Sequence, residues 1–575
     1  MSDYKIGRVI SVSGDNITIG LIETGKAIGH AHAGVPEDMV IRIPGKSGPA
    51  SELIVGAPGS FVKIDIPGGM LLCMVTEAHT PDIIVKESAG AGASAADDDN
   101  GRVTLIRELP KRRISVITFG TIGAAGEFIP GCSTLPTINK DVYAVLPEEL
   151  ESIYKNYAHG QFSIGTLSQA AGIPATINFD AFFSRHAAIL GQSGGGKSWT
   201  VASVLQKIME FPQSTTILFD LHGEYKAAFP DGGAHYIDAT DLEFPFWLMN
   251  SEELLGMMVE RSEIAAPNQA AKFKELVIDA KNTEAHKLGI MNPTVDTPIW
   301  FDFEGVIEEF RRLDTEMVEG ARGEKKGPLN GQFTRLLMRI DSKLADRRYD
   351  LIFKPRAYNN SASMEGLFRK ILGEEQSGPK KIVIIDMSPI PFDVRNSVIS
   401  LLLRGLFDFS YWHKRVIKET YPIIVFCDEA HIYLNDRDAS TDAPRLAAER
   451  IAKEGRKYGV CLVVVSQRPR EVSSTILAQC NTFLCLRITN PDDQSYVKNL
   501  LPDSTRGITS MFSTLRRGEC ILLGDSVIMP TRIQIHEPKH KPESGDTSFV
   551  NKWSGAHKEL NVNKVIDAWR RQGEE

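Results

Sequence analysis

Nothing in this chain reads as a membrane anchor or an export signal. No apolar run approaches the ~20 residues that a helix needs to cross a bilayer. The opening Met1-Ser2-Asp3-Tyr4-Lys5 lacks the apolar core of a secretory signal. The seven cysteines, at 73, 132, 427, 461, 480, 485 and 520, form no CxxC pair and no zinc-type spacing, which excludes a sequence-evident metal module or disulfide framework. Cys427, Cys461 and Cys485 sit inside apolar runs, where a thiol behaves as a small hydrophobe. Positive charge is not in excess either. Lys plus Arg number 65 against 73 Asp plus Glu, for a net charge of −8. A protein that coats nucleic acid over its surface is usually basic, so any such contact here must be local, as in a pore lining. The expectation is a soluble protein of a reducing cytoplasm, with no membrane partner.

What is present points to a large globular protein. The 575 residues are 42% apolar and 24% charged, enough for two to four domains with buried cores. Residues 1–155 are β-rich. Lys5–Val12, Asn16–Glu23, Val62–Ile66, Met70–Thr76 and Ile114–Phe119 are short Val/Ile/Thr segments between Gly and Pro, as in a small barrel or sandwich. Ser88–Asn100 is small and acidic and reads as a loop. His30 and His32 form an H-x-H pair without further ligands nearby, too little for a metal site.

Residues 156–535 change pattern. Short apolar strands alternate with helical stretches: Ala187–Leu190, Thr215–Asp220, Lys381–Asp386, Ile423–Asp428, Val460–Ser466, Thr482–Leu486 and Cys520–Leu523. Continuous apolar runs of this kind are buried on both faces and predict a parallel α/β sheet. A mostly helical insertion spans about 245–375, with Asn250 and Glu253 as an N-terminal capping pair and a helix within Gln332–Arg348 that buries Phe333, Leu336, Leu337, Ile340 and Leu344. Arg335, Arg339, Lys343 and Arg347 line one face of that helix. They read as a solvated face paired with Asp341 and Asp346 rather than as a phosphate-binding stripe. Residues 536–575 form a polar tail with a last helix near Val562–Arg571.

Gly191-Gln192-Ser193-Gly194-Gly195-Gly196-Lys197-Ser198 matches G-x-x-x-x-G-K-[ST] between a strand and a helix. Glycines let backbone N–H groups close around phosphates, Lys197 reaches the β- and γ-phosphates, and Ser198 ligates Mg²⁺. Trp199 begins the helix whose positive end faces the anion. Ser193, Gly194, Gly195, Gly196, Lys197, Ser198 and Trp199 are therefore the candidate ATP-binding residues. Ile423–Cys427 is a buried strand that delivers Asp428, a Mg²⁺ holder through water, and Glu429, the candidate general base. Gln467 follows a third strand, placed to touch the γ-phosphate or the attacking water.

The chain resembles the HerA family, within the HerA/FtsK group of DNA-pumping ATPases. The resembling segments are GQSGGGKS (191–198), FDLHGEY (219–225), VFCDEAHIYL (425–434), EGRKYG (454–459), VVSQRP (464–469), QCNTFLCLRITNPDDQ (479–494) and LRRGECILLGD (515–525). The resemblance implies a RecA-like P-loop core preceded by a barrel of the type shared with rotary ATP synthases. It implies a homohexameric ring with ATP at subunit interfaces, and double-stranded DNA in the central channel. A nuclease or sirtuin-type NAD-consuming effector would dock on the barrel, in DNA end processing or phage defence, and the tail would pack on a neighbouring subunit. It also carries roles over: Arg456 as the finger reaching a neighbour's γ-phosphate, Arg185 as a second arginine, and Asp220 and Glu224 as carboxylates near Mg²⁺ or water. Leu221 stands where many relatives have Pro. A different class of function stays open, an ATP-regulated ring scaffold that activates an effector without moving DNA. A membrane-linked pump and a protein-unfolding ring fit less well.

Overall fold

The computed structural model describes residues 4–571 apart from 15, 23–34, 37, 44–50, 80–111, 124–125, 158–161, 169, 171, 231, 259–266, 322, 376–377, 546 and 556–559. Ser88–Asn100 and the His30/His32 pair lie outside the described residues.

Six antiparallel strands close into a barrel: β1 (Lys5–Ser13), β2 (Asn16–Leu21), β3 (Phe61–Ile66), β4 (Gly69–His79), β5 (Arg113–Gly123) and β6 (Asp141–Ala144). The order β1-β2-β5-β4-β3-β6 returns to β1, and the β2–β5 pairing (Asn16↔Ile117 to Gly20↔Arg113) completes the circuit. Closure pairs each of these six strands on both sides, and the short Phe128–Pro130 strand adds to β5 alone. Alternate residues such as Ile17, Ile19, Ile64, Leu71, Val75, Ile114, Val116 and Val142 fill the interior.

The second unit is an eleven-stranded sheet. Its strands are β7 (Ser163–Leu167), β8 (Pro174–Thr176), β9 (His186–Leu190), β10 (Thr216–Asp220), β11 (His235–Asp238), β12 (Ile382–Asp386), β13 (Ile423–Cys427), β14 (Val460–Ser466), β15 (Cys480–Cys485), β16 (Glu519–Gly524) and β17 (Thr531–Ile535). Seven run parallel in the order β15-β9-β14-β13-β10-β12-β11, and β16, β17, β7 and β8 extend one edge antiparallel. Every residue of β9, β10, β12, β13 and β14 is buried. That matches their unbroken apolar runs, because helices cover both faces.

Two features depart from the parallel pattern read in the sequence. Cys520–Leu523 runs antiparallel to β15 and also to β17, to which a short hairpin connection joins it. β11 is an edge strand in which only Ile237 is buried, so it carries no apolar run to betray it.

Between β11 and β12 lies the insertion. It contains α2 (Ser251–Met258), α3 (Pro267–Lys287), α4 (Phe303–Thr315) and α5 (Thr334–Ala345), with a small hairpin at Met317–Lys326, after the P-loop helix α1 (Lys197–Ile208). The Asn250/Glu253 pair forms a reciprocal capping box: Glu253 N–H donates to Asn250 Oδ1 (2.8 Å) and Asn250 N–H to Glu253 Oε2 (3.0 Å). Phe333, Leu336, Leu337 and Ile340 are buried, with Leu344 packed beside them. Lys343 on the opposite face donates to Tyr349 Oη (2.9 Å), Arg335, Arg339 and Arg347 have partners within the chain, Asp341 pairs with Arg311 and Asp346 with Arg348. After β12 come α6 (Phe392–Ile417) and α7 (Asp442–Tyr458), which flank β13. The chain ends in α8 (Phe549–Ser554) and α9 (Val562–Arg571). No helix among the described residues is long and apolar enough to cross a membrane.

Candidate active site

The site forms where β9, β13, β14 and β10 end side by side. Gly191 turns the chain off β9 with its N–H on Ser466 O (3.2 Å), and Gln192 N–H donates to Arg487 O (2.9 Å). A Cβ at Gly191 would sit 2.8 Å from that of Leu486. Gly194 and Gly196 adopt φ of 72° and 103°, a region closed to most side chains. Gly196 caps α1 without using a side chain, which leaves the helix N–H groups directed into the loop.

Lys197 is buried, and its Nζ lies 3.9 Å from Glu429 Oε1 and 3.5 Å from Gln192 O. Ser198 Oγ donates to Glu224 Oε2 (3.1 Å). Asp428 is almost fully buried at the end of β13, and its Oδ1 accepts the Glu429 N–H (3.0 Å). Burial drives the Asp428 pKa well up, and the neighbouring charges of Glu429, Asp220 and Glu224 push the same way. Burial also raises Glu429, opposed by Lys197 and His222. The charges of Asp428, Glu429, Asp220 and Glu224 act on one another here, Lys197 Nζ lies 3.9 Å from Glu429 Oε1, and Glu429 Oε2 makes no hydrogen bond. That surplus of negative charge fits a divalent cation. Among the described residues no set of three or more His, Cys, Asp or Glu side chains could hold a metal by itself. Mg²⁺ does not require one, since it takes one or two carboxylates and completes its shell with phosphates and water.

The structure revises one carboxylate. Asp220 is wholly buried, and both its oxygens are committed to the turn that follows: Oδ1 accepts from His222 (3.2 Å), Gly223 (2.9 Å) and Glu224 (3.2 Å), and Oδ2 from Tyr225 (3.0 Å). Asp220 therefore shapes the loop that presents Glu224 to Ser198, rather than facing a ligand itself. Gln467, half-buried, lines a cleft with Ser193 and Gln192 of the P-loop.

His431 was not singled out in the sequence. Its Nδ1 lies 3.3 Å from Glu429 Oε2 and 3.3 Å from Ser466 Oγ, and burial holds its pKa down at about 4. A neutral imidazole thus stands between the end of β13 and the end of β14. The available signal was its place two residues after Glu429 in CDEAHIYL.

Arg185 and Arg456 are on the other side of the sheet. Arg185 precedes β9, so the length of that strand, roughly 15 Å at 3.3 Å per residue, separates it from its own P-loop. It pairs with Asp525 (2.6 Å), and its carbonyl accepts from Cys461 at the start of β14. Arg456 occupies the last turn of α7, just ahead of β14, and is exposed. Neither side chain enters the site of its own chain.

Residues 162–406 match the family described as helicase HerA, central domain. The chain is similar to the DNA double-strand break repair helicase HerA of Pyrococcus furiosus, with 27% identity over 72% of this chain and 77% of that one. It is similar to the protein of the same name from Sulfolobus acidocaldarius, with 25% identity over 89% and 95%. Solved structures that align with it include VirB4 of Thermoanaerobacter pseudethanolicus (15% identity, TM-score 0.43, 66% of this chain and 97% of that one) and the plasmid coupling protein TrwB with a GTP analogue (12%, 0.44, 68% and 92%).

Proposed function

We propose that this chain, a P-loop ATPase whose residues 162–406 carry a HerA central domain, is the subunit of a homohexameric ring that hydrolyses ATP to move along double-stranded DNA. The observation that carries the reading is the division of the catalytic residues between two edges of one sheet. Lys197, Ser198, Asp428 and Glu429 sit at the strand C-termini, while Arg456 stands exposed at the opposite edge. A site of this design is completed by a neighbour.

ATP would lie over Gly191–Ser198, with the loop amides of Ser193, Gly194, Gly195 and Gly196 and the first turn of α1 around its phosphates. Mg²⁺, when bound, supplies charge neutralisation at the β- and γ-phosphates, and Ser198 and Asp428 would hold it. Lys197 neutralises the β- and γ-oxygens from the protein side. Glu429 accepts the proton of the attacking water, and Asp220 positions Glu224 through the turn it caps. Gln467 orients the water or touches the γ-phosphate. Arg456 of one subunit stabilises the charge that spreads over the transferred phosphoryl group in the next. Arg185 belongs to the same edge and would act across the interface.

The DNA step is supported by the similarity to HerA helicases over most of the chain. The barrel is the proposed dock for a nuclease or NAD-consuming effector, and the C-terminal tail is proposed to pack on the adjacent subunit. The ATPase rate of the purified chain with and without linear duplex DNA, at low and moderate salt, tests the reading. Stimulation that weakens as salt rises is expected of a motor whose channel contacts phosphates. An ATPase indifferent to DNA would overturn translocation in favour of a ring scaffold that switches its effector.

A further inference from the structure

The LRRGECILLGD segment and the chain beyond β17 have no part in the site as described so far, yet both converge on Trp199. Gly518 N–H donates to Gly195 O (3.2 Å), and a Cβ on Gly196 would lie 3.1 Å from Gly518 N, so the 515–518 loop abuts the P-loop. After Ile535 the chain returns across α1 as a strap. Gln206 grips its backbone from both sides, its Oε1 accepting from Lys539 N–H (2.7 Å) and its Nε2 donating to His540 O (2.9 Å). Further on, Glu543 N–H donates to Glu224 O (2.8 Å), and Pro538 and Pro542 are buried beneath the strap. Two exposed cations then meet at the half-buried indole of Trp199: the Arg517 guanidinium at 5.3 Å and the Lys541 ammonium at 4.6 Å from the ring centroid.

A P-loop sets the direction in which its ligand lies. Lys197 reaches the β- and γ-phosphates beside Glu429, so the helix side beyond Ser198 faces the α-phosphate and the sugar. Both cations lie over the indole ring, so the surface turned towards a planar base is a stack of indole, guanidinium and ammonium, and a guanidinium plane itself stacks on aromatic rings. Core packing does not account for the arrangement, because neither cation is buried. The strap's backbone is thus tied to the Gln206 side chain on α1 and to the backbone of Glu224, whose side chain accepts from Ser198 of the P-loop. We propose that residues 536–543, with Trp199 and Arg517, form the wall of the site that receives the adenosine end of the nucleotide, and that a bound nucleoside orders the C-terminal strap. The proposal rests on ATP occupying the P-loop.

The test compares ADP with inorganic tripolyphosphate, which shares the phosphates and lacks the nucleoside, on the full chain. Lys541→Ala and Trp199→Ala should weaken ADP binding about 10-fold, the factor that 1.4 kcal/mol represents, and change tripolyphosphate binding by less than about twofold. The KM for ATP should rise with little change in kcat, Trp199→Phe should recover most of the loss, and ADP should slow hydrogen exchange at 536–543 where tripolyphosphate does not. Equal losses for both ligands, or no loss for either, would overturn the wall. A wild-type chain that binds neither ligand would overturn the P-loop reading and the wall with it, and so separates the two failures.

Discussion

Glu429 combines the two marks of a functional residue. It has a φ of 44° without being glycine, a left-handed backbone that costs roughly 1–2 kcal/mol for an L-residue, and its carboxylate is half-buried with one oxygen unpaired. Strain of this kind persists where the surrounding fold imposes it, and it aims the side chain across the P-loop. Glu429→Gln keeps the shape and removes the base. We expect ATP binding to be retained and kcat to fall by ~10²–10⁴-fold, the usual worth of a general base, measured by nucleotide titration beside steady-state turnover. Preserved turnover would remove Glu429 from that role. His186 is a different case. Its Nε2 donates to Ala452 O (3.0 Å) while its Nδ1 accepts from Leu462 N–H (3.0 Å), which only the neutral ring can do. Burial lowers its pKa from the ordinary 6.5 to about 4. Between those two values the unfolded chain takes up a proton that the folded chain refuses. The contribution is therefore complete above pH ~6.5 and is lost as pH falls towards 4, amounting to roughly 3 kcal/mol. Thermal unfolding of the ATPase unit should drop between pH 7 and pH 4.5 by more in the wild type than in a His186→Gln variant.

At the scale of elements, a buried ion pair ties the insertion to the core. Arg404 on α6 donates through Nε to both oxygens of Glu253 (3.0 Å each), and Ser400 Oγ adds a third bond (2.9 Å). Only 7% of the Glu253 side chain is exposed. Arg404→Ala would strand that carboxylate and should cost about 3–5 kcal/mol, seen as early proteolysis within 250–370 while the sheet still resists. Much of this architecture could be read in the sequence. The five core strands buried along their whole length announced themselves as continuous apolar runs, the capping box at 250–253 as Asn-x-x-Glu, and the last helix was expected near Val562–Arg571. What escaped has a physical reason in each case. Strand β11 is an edge with one buried residue, the sense of β16 is not written in its composition because a buried apolar run is compatible with either direction, and barrel closure lies in a pairing between strands about 100 residues apart. The P-loop and the Asp428-Glu429 pair were legible because phosphate chemistry dictates contiguous residues. The roles of Asp220, His431 and the 536–543 strap were not, because each acts through a contact between distant segments.

For the whole molecule, the proposed trans role of Arg456 makes a direct demand. Arg456→Ala should assemble and bind ATP yet turn over slowly, by a factor of ~10³ or more for the loss of an arginine finger. Mixed with Glu429→Gln it should regain activity, because some interfaces then pair an intact Glu429 with an intact Arg456. Activity of the mixture no greater than the sum of the two separate variants would place the finger elsewhere. The acidic total charge, −8, belongs to this scale too, since it leaves any attraction for DNA to a restricted region of the assembly.

The parallel sheet gives each subunit a front and a back, with phosphate loop at one and arginine at the other. With Arg456 in the proposed trans role, two copies related by a twofold axis would bring front to front and leave both sites without their arginine. Head-to-tail stacking completes one site per junction. An open arc always has one idle front and one idle back, whereas a closed circle has none. In the proposed ring, closure therefore acts as a quality check on assembly: a ring missing one member loses two working junctions.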